Sequence, residues 1–414
     1  MVVWRLLLLV GAAGLVTSTG YLVLVLIASA RFRRERRKAA SAPSEFPPVT
    51  LLKPVCGMEP GLEDHLTSFF EQQYPSYEII FGARTEDDPA LDVARRISAR
   101  YPSVPVTIVT SGEPWRPNAK VCSLVKMYEH ASHDYLIISD SDVMVGPNYI
   151  AAVVQPLLNP GNGMVSCLYR GLPTGGVWSK LEALGMSVEM TAGAIVANLV
   201  EGMKFALGPT MAIRRDALDA IGGFEPLADY CSDDYVLGRR VADSGRQVVM
   251  SQHVIDHVVI NRAFDCSMQH QIRWMKSTRC SRRAGHAGTA LTFAMPFGLL
   301  GLLGSAMLDR WALGIGFFAA AYANRVILSL VAGWGVVSDR RAVRQAWLYP
   351  LRDLMGFSFW CASYTGRTIV WRGDRYRLEG CGRMVLVQPA TASVTHSLPN
   401  TEVGTSPAVA DRYS

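Results

Sequence analysis

The stretch Tyr135-Leu-Ile-Ile-Ser-Asp-Ser-Asp-Val-Met-Val145 places two carboxylates directly after a short apolar run. Tyr135–Ile138 has the composition of a buried strand, and Asp140 and Asp142 stand where that strand should end. Open α/β sheets bind their ligands at this carboxyl edge of the strands. Two carboxylates at such an edge suit a divalent cation that also holds a diphosphate. An isolated Asp-x-Asp is equally typical of a solvated turn, so the rest of the chain has to decide.

The composition of the chain points to the bilayer. Half of its 414 residues are hydrophobic and 18% are charged, against about 25% charged in ordinary soluble domains. The formal charge is +6, and basic residues cluster at positions 31–38 and 273–283, next to long apolar stretches. Anionic lipid headgroups and membrane topology explain such blocks better than nucleic acid does. The eight cysteines are scattered, which is typical of free thiols and not of a disulfide framework or a zinc site.

The first apolar stretch, Leu6–Ala28, has about the twenty residues that a helix needs to cross a bilayer. A cleavable signal peptide is the alternative, since Ala28-Ser-Ala30 resembles a cleavage site. The stretch is longer than a usual signal core, and the arginine block after it favours a cytoplasmic location for that side. We therefore predict an uncleaved anchor over residues 1–30 and a basic juxtamembrane linker over residues 31–48.

The region after residue 48 alternates short apolar runs with amphipathic segments, which predicts strands alternating with helices. The predicted strands are Val49–Leu52, Glu78–Ala83, Val104–Val109 and Tyr135–Ser139, and the predicted helices are Leu62–Gln73, Pro89–Tyr101 and Ala119–His130. The alternation predicts an α/β domain over residues 49–285 with a Rossmann-like, mixed, mainly parallel sheet. No strand is followed by G-x-G-x-x-G or by a P-loop, so neither of these nucleotide fingerprints is present.

Three apolar stretches follow this domain. Thr289–Leu308 and Trp311–Val337 are each long enough to cross a bilayer and predict a transmembrane hairpin. Leu348–Val370 is a third, less regular span. We therefore expect C-terminal transmembrane segments over residues 286–372 and a tail over residues 373–414 that is basic and then disordered.

Two features of these apolar regions leave alternatives open. Val177–Val200 is too polar to span but apolar enough to lie on a bilayer face, and it could equally be a buried helix pair. Arg325 lies inside the second C-terminal span, where a charge marks a candidate functional site. A structural pairing with Asp353 is the alternative, and it is the slightly better supported one.

Polar clusters also stand at the starts of two predicted helices. Asp87 and Asp88 follow the second strand, immediately before Pro89. They are N-cap residues, or they hold the base and ribose of a nucleotide, or both. Asn118 and Lys120 open the helix after the third strand. A lysine beside a helix N-terminus suits a diphosphate, because the backbone N–H groups and the ammonium point the same way. Taken alone, such a lysine is more often a solvated surface residue.

Further candidates lie closer to the C-terminal spans. Asp233 and Asp234 begin a helix, where they cap it or supply a general base. A base that takes the proton of an acceptor hydroxyl is what sugar transfer with inversion needs. His270, Arg273 and Trp274 lie in a basic helical segment just before the membrane hairpin. Such residues are common as interfacial anchors, and as site residues they would close over a donor diphosphate and an acceptor.

The order of these clusters resembles the ceramide glucosyltransferase type of GT-A-fold glycosyltransferase, over roughly residues 5–380. The matching stretches are Leu52-Lys-Pro54, Asp87-Asp-Pro-Ala90, Asn118-Ala-Lys-Val121, Ser139-Asp-Ser-Asp142, Ser232-Asp-Asp-Tyr235, Arg273-Trp274 and Trp371-Arg-Gly-Asp-Arg-Tyr-Arg-Leu378. A nearer resemblance within that group is to the bacterial hopanoid-associated glycosyltransferases. It is carried by Cys167-Leu-Tyr-Arg-Gly171, Trp178-Ser179, Ala212-Ile-Arg-Arg-Asp216 and a His-x-x-Arg-Trp variant.

The resemblance implies an inverting hexosyltransferase that moves a sugar from UDP-glucose or UDP-N-acetylglucosamine to the hydroxyl of a membrane lipid, ceramide or hopanoid. For the donor, it implies that Asp87 or Asp88 contacts the uridine, that Asn118 and Lys120 belong to the donor site, and that Asp140 and Asp142 hold the diphosphate and Mg²⁺ or Mn²⁺. For the acceptor, it implies that Asp234 is the general base, with Asp233 beside it. It also implies that His270, Arg273 and Trp274 complete the pocket. The family commonly has Gln or Arg where this chain has His270.

The expected partners are therefore a UDP-sugar, a lipid acceptor and the bilayer, with no nucleic acid, no obligate protein partner and no organic cofactor. We expect a multi-pass protein of the bacterial inner membrane with its GT-A domain in the cytoplasm. A processive polysaccharide synthase shares the Asp-x-Asp and Arg-Trp signals but normally needs more spans. A catalytically inactive membrane scaffold on the same fold is a third possibility, against which the retention of every carboxylate in the set counts.

Overall fold

An eight-stranded mixed sheet is the centre of the protein. The computed structural model describes residues 1–38, 45–261 and 263–389. The strands of this sheet are β1 (Val49–Pro54), β2 (Tyr77–Ala83), β3 (Val106–Thr110), β4 (Tyr135–Ser139), β5 (Val143–Met144), β6 (Asn162–Pro173), β7 (Thr210–Arg214) and β8 (Gln247–Val259). They lie in the order β3-β2-β1-β4-β7-β6-β8-β5. All four predicted strands are confirmed to within two residues at each end.

Fifteen α-helices are present in the described residues. They are α1 (Val2–Lys38), α2 (Leu62–Phe70), α3 (Pro89–Arg100), α4 (Ala119–Tyr128), α5 (Tyr149–Val154), α6 (Gly176–Gly185), α7 (Thr191–Glu201), α8 (Arg215–Asp219), α9 (Asp233–Asp243), α10 (Phe264–Ser281), α11 (Arg283–Thr289), α12 (Met295–Ala306), α13 (Trp311–Leu328), α14 (Arg340–Arg344) and α15 (Tyr349–Ser363). Two π-helical segments continue α6 and α13, at Met186–Met190 and Ser329–Trp334.

The sheet has a parallel half and a mixed half. β1 to β4 pair in parallel, and most of their apolar side chains are buried, as expected for strands covered on both faces. β7 runs antiparallel between β4 and β6, and β8 runs parallel to β6. The pairing of β6 with β8 has two register shifts, which curl this half of the sheet. The short strand β5 pairs with the end of β8, so Val143 lies opposite His257.

The candidate membrane spans in the described residues differ in part from the four spans that the sequence predicted. Within the described residues, three are long and apolar enough: Val2–Lys38, Gly176–Glu201 and Trp311–Trp334. A fourth arises if Arg283–Thr292 and Met295–Ala306, which are bent by 48°, form one span. α1 lies so close to α12 that a Cβ built on Gly11 would be 2.6 Å from the Gly301 nitrogen. Small residues permit such close approach between membrane helices.

The third C-terminal span, predicted at Leu348–Val370, is absent as a continuous helix. α15 has 15 residues and is about 22 Å long, which is short of the roughly 30 Å hydrocarbon core. Gly366 has a positive φ of 76° just after its end, a common way to terminate a helix. A three-stranded sheet follows, formed by β9 (Thr368–Trp371), β10 (Asp374–Glu379) and β11 (Arg383–Gln388). The apolar residues of the predicted span are therefore shared between a short helix and a strand.

Two further sequence expectations differ from the structure. α1 continues through the basic block to Lys38, so part of the predicted linker is helical. Arginine and lysine are good helix formers, and Arg31 is paired with Glu35 one turn later. The basic first part of the predicted tail, for which no strand was predicted, forms β10 and β11. Residues 39–44 and 390–414 lie outside the described residues.

The semi-apolar region Val177–Val200 is one helical rod, not a helix pair. It runs from Gly176 to Glu201 and is apolar enough to span, contrary to the sequence interpretation. However, 61% of its most apolar window is buried inside the protein. Most of this helix is therefore packed inside the protein. In its π-helical segment, Met186, Ser187 and Val188 are buried.

Arg325, which lies inside the candidate span Trp311–Trp334, pairs with Asp353, the alternative that the sequence favoured. Arg325 Nη1 lies 3.0 Å from Asp353 Oδ1, and both side chains are 2% exposed. Arg325 also donates to the Thr292 carbonyl at 3.0 Å. The other Asp353 oxygen accepts from the backbone N–H groups of Ala294 and Met295 at 3.0 and 2.8 Å. This carboxylate thus joins three helices at one point.

We expect Asp353→Ala to destabilise the protein by about 3–5 kcal/mol, because it leaves the buried Arg325 charge and two backbone donors without an acceptor. Chemical unfolding of the full chain in detergent measures the effect. Asp134→Ala is the matched control, since the Asp134 side chain is 84% exposed and its surface pairing contributes about 0–1 kcal/mol. Equal losses for the two variants would contradict the structural role of Asp353.

Candidate active site

One cavity of about 1480 Å³ joins the carboxyl edge of the sheet to the apolar helices. Of the side chains selected from the sequence, it is lined by Lys120, Asp140, Asp142, Asp233, Asp234, His270, Arg273 and Trp274. The structure therefore brings most of the predicted site into one place. The remaining three, Asp87, Asp88 and Asn118, lie outside the lining.

Lys120 is the cation between the two acidic clusters. Its Nζ lies 2.5 Å from Asp140 Oδ1 and 3.9 Å from Asp233 Oδ2. Burial disfavours the charge on this lysine, but Asp140 and Asp233 outweigh that effect and raise the pKa of Lys120. The side chain is consequently a permanent ammonium at the first turn of α4. This environment is suited to an anionic ligand.

A second buried cation, Lys53, was missed by sequence reasoning because it lies in the otherwise apolar strand β1. Its Nζ donates to the Asp140 carbonyl at 2.5 Å and lies 3.7 Å from the centre of the Phe69 ring. Burial lowers the pKa of Lys53 to about 7, and Asp140 and Asp142 partly offset it. The available signal was the single charge inside a strand pattern, next to Pro54.

Asp142 faces His257 of β8, which the β5–β8 pairing brings opposite. Asp142 Oδ2 lies 3.3 Å from His257 Nε2. Burial opposes the charge on Asp142, but attraction to His257 prevails and lowers the pKa of Asp142 to about 2. The other carboxylate oxygen, Oδ1, is buried and has no hydrogen-bond partner among the described residues. An acceptor oxygen in this state is available to a ligand.

The two carboxylates fit a divalent ion that arrives with a phosphate ligand. The described residues contain no group of three or more His, Cys, Asp and Glu side chains that could hold a metal on its own. Mg²⁺, however, is commonly bound through one or two carboxylates and the phosphates of the substrate. The unpartnered oxygen of Asp142, near Asp140, meets that requirement. The described residues do not supply a complete set of metal ligands by themselves.

Asn118 is fully buried and does not line the cavity. It caps α4 by accepting from the Val121 N–H at 3.2 Å, and its Nδ2 donates to Asp233 Oδ1 at 3.2 Å. Burial raises the pKa of Asp233, and Lys120 only partly opposes the change. Asn118 therefore orients Asp233, which in turn contacts Lys120. Its contact with the donor, expected from the sequence, remains a prediction.

Asp234 is the carboxylate for which the sequence predicts the role of general base. It lies in the first turn of α9, and its Oδ1 accepts from the Tyr235 N–H at 2.7 Å. A Cβ at Gly208 would lie 3.1 Å from Asp234 Oδ2, so the glycine leaves room for this oxygen. Burial, followed by repulsion from Asp233, raises the pKa of Asp234 to about 6. A base with a pKa near the working pH transfers protons more effectively than an ordinary carboxylate.

We expect the rate of any reaction that uses Asp234 as its base to depend on pH. Because the pKa of Asp234 is raised to about 6, the ionised form is present above pH 6 and is lost below it. The rate should therefore be level above about pH 7 and fall about tenfold per unit below about pH 5.5. Initial rates between pH 4.5 and 8 measure the profile, and a midpoint near 4 would contradict it.

Helix α10 carries His270, Arg273 and Trp274 along the cavity. His270 Nδ1 lies 2.7 Å from Glu182 Oε1, and the His270 and Trp274 rings are 4.3 Å apart. The Arg273 guanidinium lies 5.7 Å from the centre of the Trp371 ring in β9. Burial lowers the pKa of Arg273. These contacts hold α10 between the Gly176–Glu201 helix and the three-stranded C-terminal sheet. The three residues are therefore not simple surface anchors.

The N-terminal acids Asp87 and Asp88 are not brought to the cavity. Asp87 is exposed. Asp88 caps α3 by accepting from the Ala90 N–H at 2.9 Å, and it also accepts from the Gly57 N–H at 2.9 Å. The capping alternative is therefore realised for Asp88. Its second bond holds the loop after β1, and that loop lines the cavity through Cys56 and Glu59.

Two more charged residues of the cavity were not selected from the sequence. Glu59 accepts from the Ser141 hydroxyl at 3.0 Å, and burial, with repulsion from Asp142, raises the pKa of Glu59 to about 7. Arg372 lies in the turn between β9 and β10 with φ 51°, an uncommon conformation for a residue other than glycine. Because β9 and β10 were expected to be part of a span and a tail, no site role was predicted for Arg372, which lines the cavity.

The fold and the acidic cavity define a protein of the GT-A glycosyltransferase class. Residues 12–384 match the family model described as Glycosyl transferase family 21, and the chain belongs to that family. This confirms the resemblance to the ceramide glucosyltransferase group, and the nearer resemblance to the hopanoid-associated enzymes stays a prediction.

Individual relatives are more distant. The chain is 26% identical over 209 residues to ceramide glucosyltransferase 1 of Caenorhabditis elegans, covering 50% of this chain and 45% of that protein. It is 33% identical over 146 residues to the ceramide glucosyltransferase of Komagataella phaffii, covering 33% of this chain and 29% of that protein. The chain thus spans less than half the length of these curated relatives.

A solved structure shares the fold. A mannosyltransferase from Pyrobaculum calidifontis, in complex with GDP-Man and Mn²⁺, superposes with a TM-score of 0.52. The sequences are 18% identical, and the match covers 86% of this chain and 98% of that one. The similarity extends over most of this chain, including residues beyond the central sheet.

Proposed function

We propose that this protein transfers a hexose from a UDP-sugar to the hydroxyl of a membrane lipid, with inversion at the anomeric carbon. The observation that carries the proposal is the single cavity. Its lining includes the carboxylates Asp140, Asp142 and Asp234, and also Met186 and Leu328 of the apolar helices. A polar sugar nucleotide and a lipid could therefore meet in the same space.

The residues of the sheet edge account for donor binding. Lys120 provides a permanent positive charge for the diphosphate, and Arg273 extends that charge along the other wall. Asp140 and Asp142 would hold Mg²⁺ or Mn²⁺ together with the diphosphate. When bound, such an ion neutralises the charge that develops on the departing nucleoside diphosphate.

Asp234 accounts for the acceptor side. Its carboxylate would take the proton of the acceptor hydroxyl as the oxygen attacks the anomeric carbon and the bond to the diphosphate breaks. The attack comes from the face opposite the leaving group, which inverts the configuration. Asp233 and Asn118 keep the start of α9 in place. The lipid would enter laterally between the Gly176–Glu201 rod and the other apolar helices, with the GT-A domain on the cytoplasmic side.

A transfer assay tests the proposal. Membranes that contain the full chain are incubated with labelled UDP-glucose or UDP-N-acetylglucosamine, with ceramide or a hopanoid alcohol as the acceptor, and with or without EDTA. We expect one labelled sugar on one lipid and loss of the product with EDTA. Donor preference then distinguishes the ceramide-type from the hopanoid-type reaction. A long polymer would contradict single transfer and favour a polysaccharide synthase, and no transfer to any acceptor would favour an inactive scaffold.

A further inference from the structure

The C-terminal sheet is hydrogen-bonded to a loop of the GT-A domain, residues 229–232, which we call the pre-α9 loop. Strand β11 lies at the edge of that sheet, where a strand presents backbone groups that its own sheet leaves unpaired. The Met384 N–H donates to the Asp229 carbonyl at 2.7 Å, and the Cys231 N–H donates to the Gly382 carbonyl at 3.1 Å. The loop therefore pairs with the start of β11 as a short antiparallel strand would.

Side chains reinforce this pairing. Arg383 Nη2 lies 2.7 Å from Asp229 Oδ2. The Ser232 hydroxyl lies 2.7 Å from the hydroxyls of both Ser277 and Ser281 in α10. Ser232 is the N-cap residue of α9, but its side chain makes no capping hydrogen bond, which is the usual function of serine at this position. The start of α9 is thus held by α10 and β11 and not by its own cap.

The pre-α9 loop is also held from the side of the parallel strands. The Asn118 N–H donates to the Ala228 carbonyl at 2.8 Å, and Asn118 Nδ2 donates to the Tyr230 carbonyl at 2.9 Å. The loop therefore lies between the start of α4 and β11. Asp233 and Asp234 follow it directly in the first turn of α9, so a displacement of the loop moves both carboxylates.

The C-terminal sheet is fastened to two segments that carry candidate site residues. Four of its side chains form a small buried core: Ile369, Tyr376, Leu378 and Met384. Cys231 of the pre-α9 loop and Cys280 of α10 pack against that core. The first strand of the sheet is also attached to α10, because Lys276 Nζ donates to the Thr368 carbonyl at 3.0 Å. The sheet thus ties the pre-α9 loop to the helix that carries Arg273.

We propose that β11 is a positioning element of the active site, which fixes the first turn of α9 and so sets where the Asp234 carboxylate stands. This inference rests on the proposed function, in which Asp234 takes the proton of the acceptor hydroxyl. A general base must lie within hydrogen-bond reach of the proton that it removes, and a displacement of about 1 Å can lower a rate by about 100-fold. Residues that follow the last apolar helix therefore contribute to the rate of transfer.

The first test changes a glycine in the turn before β11. Gly382 has a φ of 86°, and a Cβ at this residue would lie 3.0 Å from Ser281 Oγ. Gly382→Ala is therefore strained, and it displaces the carbonyl that accepts from the Cys231 N–H. Gly380→Ala, two residues earlier in the same turn, is the matched control, because a Cβ there has open space around it.

Both variants are compared with the wild-type full chain in nanodiscs, and rates are expressed per donor site titrated with UDP and Mn²⁺. Counting donor sites corrects for any loss of folded protein. We expect Gly382→Ala to lower kcat by about 10- to 100-fold and to change the KM for the UDP-sugar less than about threefold. The pH midpoint of its rate should fall below about 6, because Asp234 becomes less buried. Gly380→Ala should match the wild type in all three quantities.

Arg383→Gln is a milder variant that leaves the backbone of the turn unchanged. It removes the pairing with Asp229, and we expect kcat to fall by about two- to fivefold, as for the loss of one exposed ion pair. Its control is Arg377→Gln in β10. Arg377 pairs with Glu379 of its own strand, so this variant should transfer sugar at the wild-type rate.

Hydrogen exchange of the peptide that covers residues 229–236 reports on the loop independently of catalysis. We expect faster exchange in Gly382→Ala and Arg383→Gln, and wild-type exchange in the two controls. A wild-type kcat and pH midpoint in Gly382→Ala, or wild-type exchange in both loop variants, would overturn the positioning role. No lipid product from the wild type would overturn the proposed function, while the exchange rates would still decide whether β11 holds the pre-α9 loop.

Discussion

Asp234→Asn is expected to lower the rate of sugar transfer by about 10²–10⁴-fold, the usual contribution of a general base. The amide has nearly the shape of the carboxylate, so it can still face Gly208, but it cannot take the proton of the acceptor hydroxyl. Because the donor site is built from other residues, the KM for the UDP-sugar should change less than threefold, a rough limit for lost uniform binding. Steady-state kinetics with a labelled donor measure both quantities.

The matched control is Asp243→Asn, at the other end of the same helix. The Asp243 side chain is 58% exposed and pairs with Arg239 one turn earlier. We expect this variant to transfer sugar at the wild-type rate. A lipid product that forms at an unchanged rate with Asp234→Asn would remove Asp234 from the role of base and direct attention to Asp233.

Asp142→Asn is expected to abolish the dependence of transfer on a divalent ion and to reduce the rate by at least about 100-fold. A bound ion contributes several kcal/mol of charge stabilisation, and each 1.36 kcal/mol corresponds to about a factor of ten in rate. Asp142 has the buried oxygen without a partner, so its loss removes the best available ligand atom. The measurements are Mn²⁺ binding by calorimetry in the presence of UDP, and transfer after treatment with EDTA.

Asp134→Asn is the control for this variant, because Asp134 stands just before the strand that Asp140 and Asp142 follow and its side chain is 84% exposed. It should bind Mn²⁺ and transfer sugar like the wild type. If Asp142→Asn bound Mn²⁺ in the presence of UDP as tightly as the wild type, the metal would have to be held elsewhere.

The parallel half of the fold could be predicted from the sequence because its signals are local. Buried strands such as Tyr135–Ser139 are short apolar runs, and two of the helices between them, α3 and α4, begin at the capping residues Asp88 and Asn118. The same signals located Asp140 and Asp142 at the strand end. Local signals also located Asp233 and Asp234, because a pair of acidic residues at the start of a predicted helix stands out whether the residues cap the helix or belong to a site.

The remaining features depend on contacts between distant parts of the chain. His257 reaches Asp142 only because the two-residue strand β5 pairs with the end of β8, and neither strand alone indicates this. Glu182 and Glu189 lie on a rod whose burial cannot be inferred from its composition. Trp371 and Arg372 were both assigned to the C-terminal membrane segments, because apolar residues of α15 and β9 are consecutive in the sequence. Asp88 was ambiguous, since capping and nucleotide binding require the same residue at the same position.

The most direct measurement of the central claim is the anomeric configuration of the lipid product. The full chain is incubated with UDP-glucose or UDP-N-acetylglucosamine, in which the sugar is α-linked, and with the acceptor that gives the higher yield. The purified glycolipid is then examined by proton NMR. Attack by a hydroxyl deprotonated at Asp234 displaces UDP in one step, so the account predicts a β-linked sugar. An α-linked product would contradict it, because retention requires a different course at the anomeric carbon.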